Sequence, residues 1–421
     1  MTPSAIRLGI IGYGFSTKCF HLPFINALPA DFKVVAFFQR SEAPKDPQTA
    51  DPGSHCTVDY PDVKHYSQKE DFFADETIDV VIVCSRQDTH AEYATRALNA
   101  GKHGTYIQWT DKTDGRTEIL SFKQRAVTAS ERKIAKTGAR VLVVVEKAFT
   151  RTTAEADDLI ALAKQKDKIL TVFQNRRWDN DFQTLRHLIA EDALGTIKEL
   201  EIHYDVDFPF WMRNMNKKEY SPGEGMTFGL GSHTLDQALL LFGRPSTVAG
   251  FLRVLRGIDS EVEDSFTAVL QYEGEQKDLL VTVKTNVVSP LKDQLKYVAK
   301  GTKGSYVKHG TCIQEAQILG KPSLPATDPS FGHEPAHLYG LLTTKNEPFD
   351  RAHQTHEPDV NLWVGRYPTI PGHWLGFYEN LRDAVRGKAE IAVKPEQSRD
   401  GIRLIELVRE SSQTGAIVKW H

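Results

Sequence analysis

Apolar residues fall into two different patterns along this chain. Through about residue 175 they come as short continuous runs separated by longer mixed segments. "IRLGIIGYG" (6–14), "FKVVAFFQR" (32–40), Val80–Val83, "ARVLVVVEKAF" (139–149) and "KILTVFQNRRW" (168–178) each read as a strand that is apolar at consecutive positions. That is the pattern of a parallel sheet buried on both faces. Helix-like stretches lie between them. One follows Gly14. A second is "DTHAEYATRALNAGK" (88–102), with Thr89 or Asp88 as its cap and Gly101 as its end. A third, 154–166, stands behind a Thr152/Glu155 capping box. Strand and helix in alternation predict an α/β fold with a doubly wound parallel sheet, ending near Asn175.

From residue 176 onward alternation takes over. "FTAVLQYE" (266–273), "KDLLVTVKTNVV" (277–288) and "LKYVAKGTKGSYVKHG" (295–310), the last with a central glycine turn, predict antiparallel strands of a second domain, 176–421. The stretch 318–367 is rich in Pro, Gly, His and Asp without periodicity and predicts long loops. Pro395 at the first position and Gly415 past the end bracket a last helix, 395–414, with Ile402, Leu404, Ile405 and Val408 on one side. One tract fits neither pattern. Residues 104–140 interrupt the first domain with polar, locally basic sequence, of which 118–136 reads as a short amphipathic helix. Three explanations stay open: a lid near the cofactor, a surface excursion, or translated intron.

Composition narrows the function classes. A net charge of -3 over 421 residues gives no electrostatic footprint for nucleic acid or an anionic membrane. No apolar run reaches the roughly eighteen residues of a membrane helix. The N-terminus shows no signal-peptide pattern. The four cysteines, Cys19, Cys56, Cys84 and Cys312, are scattered without a CxxC pair. Reduced thiols, a cytoplasmic location and no metal site are the expectations.

Candidate chemistry begins at the first strand's end, in the pattern G-x-G-x-x-T. Gly12 permits a tight turn, and Gly14 lets the backbone approach a pyrophosphate at the positive end of the next helix. Thr17 stands where a third glycine is usual. At the end of the second strand Gln39, Arg40 and Ser41 replace the acidic residue that would hold the ribose 2′-hydroxyl of NAD. An arginine beside a hydroxyl matches a 2′-phosphate, so the cofactor expected is NADP, with NAD the weaker candidate. The alternative for Arg40 is a solvated loop charge.

With "VVVEKAF" (143–149) the chain resembles the glucose–fructose oxidoreductase / inositol dehydrogenase / MocA family. The other pieces that carry the resemblance are "GIIGYGFSTKCFHLPFI", "DTHAEYATRALNAGKH", "TVFQNRRWDNDFQTLRHLI", "GLGSHTLDQALLLFG", "GTKGSYVKHG", "GFYENLRDAVRG" and "EQSRDGIRLIELVRESSQTG". "QNRRWDNDF" (174–182) is similar to one bacterial and fungal branch. The likeness spans nearly everything outside 103–140. It implies a Rossmann domain, 1–175, followed by an α/β domain on a large open, mostly antiparallel sheet. It also implies an NAD(P)-dependent oxidoreductase acting on a sugar, a polyol or a related small hydroxy compound, and a homodimer. By the resemblance, Lys147 lies beside the nicotinamide and substrate, with Glu146 as a candidate ion partner, and His233 is the general acid/base. Cofactor contacts are implied for Gly12, Gly14, Phe15, Ser16, Arg40, Ser41, Ser85, His90, Glu146 and Lys147. Arg177, Trp178, Trp211 and Asp236 are candidate substrate contacts. For the arginine pair 176–177 an ion-paired hinge is the competing reading, and for the aromatic "FPFWMRN" (208–214) it is core packing. Asp236, one helical turn from His233, is placed to pair with it or to cap the helix.

Three departures from the family pattern stand out: Thr17, Ala148 in place of proline, and Gly229 where relatives often carry an aspartate that supports the histidine. They keep a second function open, a catalytically inactive dinucleotide-binding regulator of the same fold.

Overall fold

In the computed structural model, residues 4–100, 142–213 and 215–421 are described. Six parallel strands build the first domain: β1 (Ile6–Ile11), β2 (Phe32–Phe38), β3 (Lys64–Tyr66), β4 (Val80–Val83), β5 (Leu142–Val145) and β6 (Ile169–Val172). Their order is β3-β2-β1-β4-β5-β6. Every residue of β4 and β5 is buried, because helices cover both faces and leave no solvated side. The order reverses between β1 and β4, so the carboxyl ends of these two strands open a crevice where a dinucleotide domain takes its ligand. The tract 104–140, its candidate helix and Gly101 lie outside the described residues.

Two helix starts differ from expectation. Thr89 does precede the helix His90–Asn99, but its hydroxyl turns back to the Arg86 carbonyl (2.7 Å) and the Ser85 hydroxyl (2.8 Å), and so caps no N–H. Asp88 pairs with Arg86 instead (3.4 Å). Thr152 accepts the Glu155 amide (3.2 Å), but the Glu155 carboxylate takes the amide of Arg151 (3.0 Å) and its guanidinium rather than closing a capping box.

The second domain carries a ten-stranded sheet. Its strands are β7 (Ile197–His203), β8 (Thr247–Arg253), β9 (Ser265–Gln271), β10 (Leu280–Thr285), β11 (Leu295–Gly301), β12 (Gly304–His309), β13 (Gly340–Thr344), β14 (Thr355–Glu357), β15 (Leu362–Tyr367) and β16 (Val418–Lys419). The order is β14-β15-β13-β12-β11-β7-β10-β9-β8-β16, antiparallel except between β7 and β10. Strands β13 to β15 correct the reading of 318–367 as loops throughout. They form by pairing outward from β12 rather than from their own pattern, and β15 is half-exposed along nearly its whole length. Following the ladder from Phe251 opposite Thr267, through Leu280 opposite Gln271, to Ser305 opposite Thr343 puts Phe251, Leu280 and Leu341 on one open face.

The helix Pro395–Thr414 ties the two domains together. It packs on β8, on β6, and on the helices Thr153–Gln165 and Ser232–Phe242. Its Glu406 accepts both the amide and the hydroxyl of Thr153 (2.8 and 2.7 Å), and its Arg399 meets Asp157 (2.8 Å). Gly250 of β8 leaves room for this contact, since a Cβ there would lie 2.1 Å from the Val408 carbonyl oxygen.

The crevice depends on Gly12, whose φ is +94° and whose Cβ, if present, would meet the Cys84 carbonyl oxygen at 2.6 Å. Gly12→Ala is therefore expected to destabilise the fold by about 1–3 kcal/mol and to abolish dinucleotide binding. A denaturant midpoint equal to the parent's would contradict this.

Candidate active site

The turn after β1 is built to approach a ligand. Thr17, standing for the third glycine, donates its buried hydroxyl to the Gly12 carbonyl (2.9 Å) and closes the turn. A Cβ on Gly14 would meet nothing within 4 Å, so the backbone there faces open space. Phe15 is half-exposed above the turn. Ser85 follows β4, and Arg40 and Ser41 are exposed after β2. A smaller cavity joins Gly12, Arg40, Ser85 and Arg86 along this edge. His90 is buried with its ring nitrogens 3.0 Å from the carbonyls of Ala148 and Ser85, so it braces the ends of β4 and β5. Burial lowers its pKa. An open glycine cradle, a helix start and cationic and hydroxyl groups at the far edge fit a phosphorylated dinucleotide.

Glu146 does not form the expected ion pair with Lys147. Its carboxylate accepts from the Ser16 hydroxyl, from the His21 ring (3.1 Å) and from the Lys147 amide (2.7 Å). Burial alone would raise its pKa. The His21 bond, with Lys147 nearby and the Ser16 bond, outweighs burial and brings it down to about 2. His21 is fully buried, stacked on Phe173 at 4.1 Å with the Tyr378 hydroxyl 2.6 Å from Nδ1. Nothing in the local sequence marked His21. Its position one turn into the first helix, facing the β5 end, was the only available signal. Tyr378 is itself fully buried behind it.

Lys147 instead donates its Nζ to the carbonyl of Gly229 (2.7 Å), across the domain boundary. A backbone oxygen thus takes the cation at the residue where relatives often carry a carboxylate. The Lys147–Ala148 peptide is cis. Burial lowers the Lys147 pKa, Glu146 and Glu315 oppose that, and Arg176 adds to it. His233 sits in the first turn of the helix Ser232–Phe242, 5% exposed, with no partner for Nδ1 among the described residues. Burial, then the charges of Lys147, Arg176 and Lys296, holds its pKa well below the usual value. At neutral pH it is an uncharged imidazole, and the residue lines the cavity, where a neutral ring can accept a proton.

Of the two adjacent arginines, Arg176 faces the cavity. It stacks 4.8 Å over the Tyr204 ring and pairs with Glu315 and Asp179. Arg177 turns the other way, because a short helical turn (Asn175–Trp178) rotates successive side chains apart. Its guanidinium grips Asp236 through two bonds (2.8 and 2.7 Å) and reaches Gln397 (2.8 Å). Asp236 therefore neither pairs with His233 nor caps the helix. Arg177 and Asp236 form an interdomain clasp outside the cavity lining, which is the hinge reading. Trp178 packs against Phe377 (6.0 Å) and also lies outside the lining. Trp211, 40% exposed, does line the cavity. Arg176, Tyr204, Glu315 and Asn175 line it where Arg177 and Trp178 were expected.

The cavity holds about 890 Å³ between the domains, with Ser16, Ser85 and Glu146 on one wall and Lys147 and His233 deeper in. A dinucleotide cradle opening on a lysine–histidine pair defines a nicotinamide-dependent oxidoreductase. The chain belongs to the Gfo/Idh/MocA family. Residues 6–105 match the model described as an oxidoreductase family NAD-binding Rossmann fold, and residues 182–307 match the GFO/IDH/MocA C-terminal domain. An uncharacterized oxidoreductase of Schizosaccharomyces pombe is 32% identical over 98% of this chain and 98% of its own length. The Bacillus subtilis scyllo-inositol 2-dehydrogenase (NADP(+)) IolW is 28% identical over 97% and 94%. Among solved structures, an oxidoreductase from Bacillus cereus superposes with a TM-score of 0.76 at 25% identity, covering 99% of both chains.

If the Arg177–Asp236 clasp is structural, Asp236→Ala leaves a buried guanidinium unpaired and costs about 3–5 kcal/mol. Equilibrium unfolding tests this; a loss of turnover without loss of stability would return Asp236 to the substrate site.

Proposed function

We propose that the chain is an NADP-dependent oxidoreductase that moves hydride between nicotinamide and a CH–OH carbon of a sugar, polyol or related hydroxy compound. The observation that carries this is that the Lys147 ammonium and the buried, neutral His233 ring line one cavity together with Ser16 of the glycine turn. Gly12, Gly14, Phe15, Ser16 and Ser85 would hold the cofactor, with Arg40 and Ser41 toward a 2′-phosphate. When bound, the nicotinamide supplies the hydride acceptor or donor. In the oxidation direction Lys147 donates a hydrogen bond to the substrate oxygen, and the neutral His233 imidazole takes the hydroxyl proton as the carbon loses its hydride. In reduction the protonated imidazole returns it. Arg176 and Asn175 border the same space and are the substrate contacts in place of Arg177 and Trp178. The NADP(+) in the name of the B. subtilis relative supports the cofactor choice.

The open sheet face bearing Phe251, Leu280 and Leu341, all exposed, is the surface for a homodimer. No helix among the described residues is long and apolar enough to cross a membrane, and the free thiols fit a cytoplasmic location.

Three outcomes test the reading. Arg40→Ala should weaken NADPH binding by about ten- to hundredfold, measured by fluorescence, and leave NADH little changed; equal effects on both would remove Arg40 from the phosphate site. His233→Asn should lower kcat by about 10²–10⁴. The acid limb of kcat/KM for oxidation should lie below pH 6.5, since His233 must be neutral and its pKa is lowered. Lys296→Met removes one neighbouring cation, so that limb should move to higher pH; a shift downward or none would mean another group titrates.

A further inference from the structure

We propose that the alcohol taken by this site carries an apolar arm about the size of a phenyl ring next to the carbon that is oxidised. The inference rests on the oxidoreductase reading and narrows its substrate. The cavity has two chemical ends. Around Lys147 and His233 it offers Asn175, Arg176 and Glu315. Away from them Met212, Met226 and Leu230 form, with Val287, an apolar cluster separate from the main core. Trp211 and Met215, 40% and 45% exposed, extend that surface to the cavity mouth.

Of the polar groups at this end, Arg256 and Glu263 are engaged, and Glu224 is engaged through one oxygen while its Oε2 is buried without a partner among the described residues. Arg256 is bonded to Asp264 (3.0 Å) and to the carbonyls of Met212 (3.2 Å) and Met215 (3.0 Å). Glu263 is held by Thr227 and Arg409, and Glu224 by Lys217 (2.7 Å). A fully polyhydroxylated ring placed here would find Glu224 Oε2 as an open acceptor, while hydroxyls set against Trp211 and the methionines would lose water without gaining a partner. A flat apolar group would instead meet an indole and polarizable thioethers, which adapt to its shape. Exposed large apolar side chains gathered at one cavity mouth are a mark of a binding surface. Gly229 brings this surface up to the reacting end. A Cβ there would lie 3.4 Å from Met226 Cε and 3.5 Å from its sulfur, while the same residue's carbonyl holds Lys147.

The test uses the full chain and two diols that share a carbinol and differ in the arm, propane-1,2-diol and 1-phenylethane-1,2-diol. Calorimetric titration of the NADPH complex reads binding without turnover. The phenyl diol is expected to bind at least about tenfold more tightly, with a negative heat-capacity change. Trp211→Ala should erase most of that preference and Trp211→Phe restore it. Equal affinities, or a preference that Trp211→Ala leaves intact, would overturn the proposal. Oxidation with NADP⁺ is scored separately. Preference in binding with no NADPH formed from either diol or from a polyol panel would sink the oxidoreductase reading and leave the apolar arm standing. Turnover of polyols with no phenyl preference would do the reverse.

Discussion

The working parts of this molecule sit on two sheets, and one buried ion pair lies at their junction. Arg177, on the short turn that follows β6, grips Asp236 on the helix that carries His233. Both side chains are nearly inaccessible, so neither charge has water to fall back on, and separating the domains would strand both. The helix Pro395–Thr414 reinforces the joint from outside by way of Gln397. With the helix start held there, the Gly229 carbonyl meets Lys147 and the open face of His233 meets the cavity. Lys147 and His233 are thus brought to one cavity from positions 86 apart in sequence.

The sheet domain was readable because its physics is local. Continuous apolar runs such as Val80–Val83 can only be buried on both sides, and Gly12 sits where a positive φ is required. Strands β13 to β15 were not readable, because their pairing is set by β12 rather than by their own alternation. At the site, Lys147 and His233 were accessible through motif position. The roles of Arg176 and Arg177 were not. Which of two adjacent arginines faces a cavity depends on the rotation of one short helical turn, and the motif is the same either way. Asp236 misled for a similar reason: one turn from His233 is the right spacing for a contact, but Arg177, on the turn after β6, holds it instead. His21 left no trace in local pattern, since its significance arises only where β5 ends beside it.

Gly229 is the residue whose reading changes most on the structure. By the resemblance it stands where relatives often carry a carboxylate, yet Lys147 keeps an acceptor there, because the Gly229 carbonyl oxygen takes one of its hydrogen bonds at 2.7 Å. The two acceptors differ in charge. A carbonyl does not titrate near neutral pH, so this acceptor holds Lys147 without changing its own charge. It also supplies no negative charge to balance Lys147, Arg176 and Lys296 around the histidine. His233 is therefore pushed toward its neutral form by both burial and charge, which favours accepting a proton over donating one. The same substitution opens the space that Met226 approaches. A single missing side chain thus links two properties of the site: a histidine biased toward the base, and an apolar wall that reaches the residue holding the lysine.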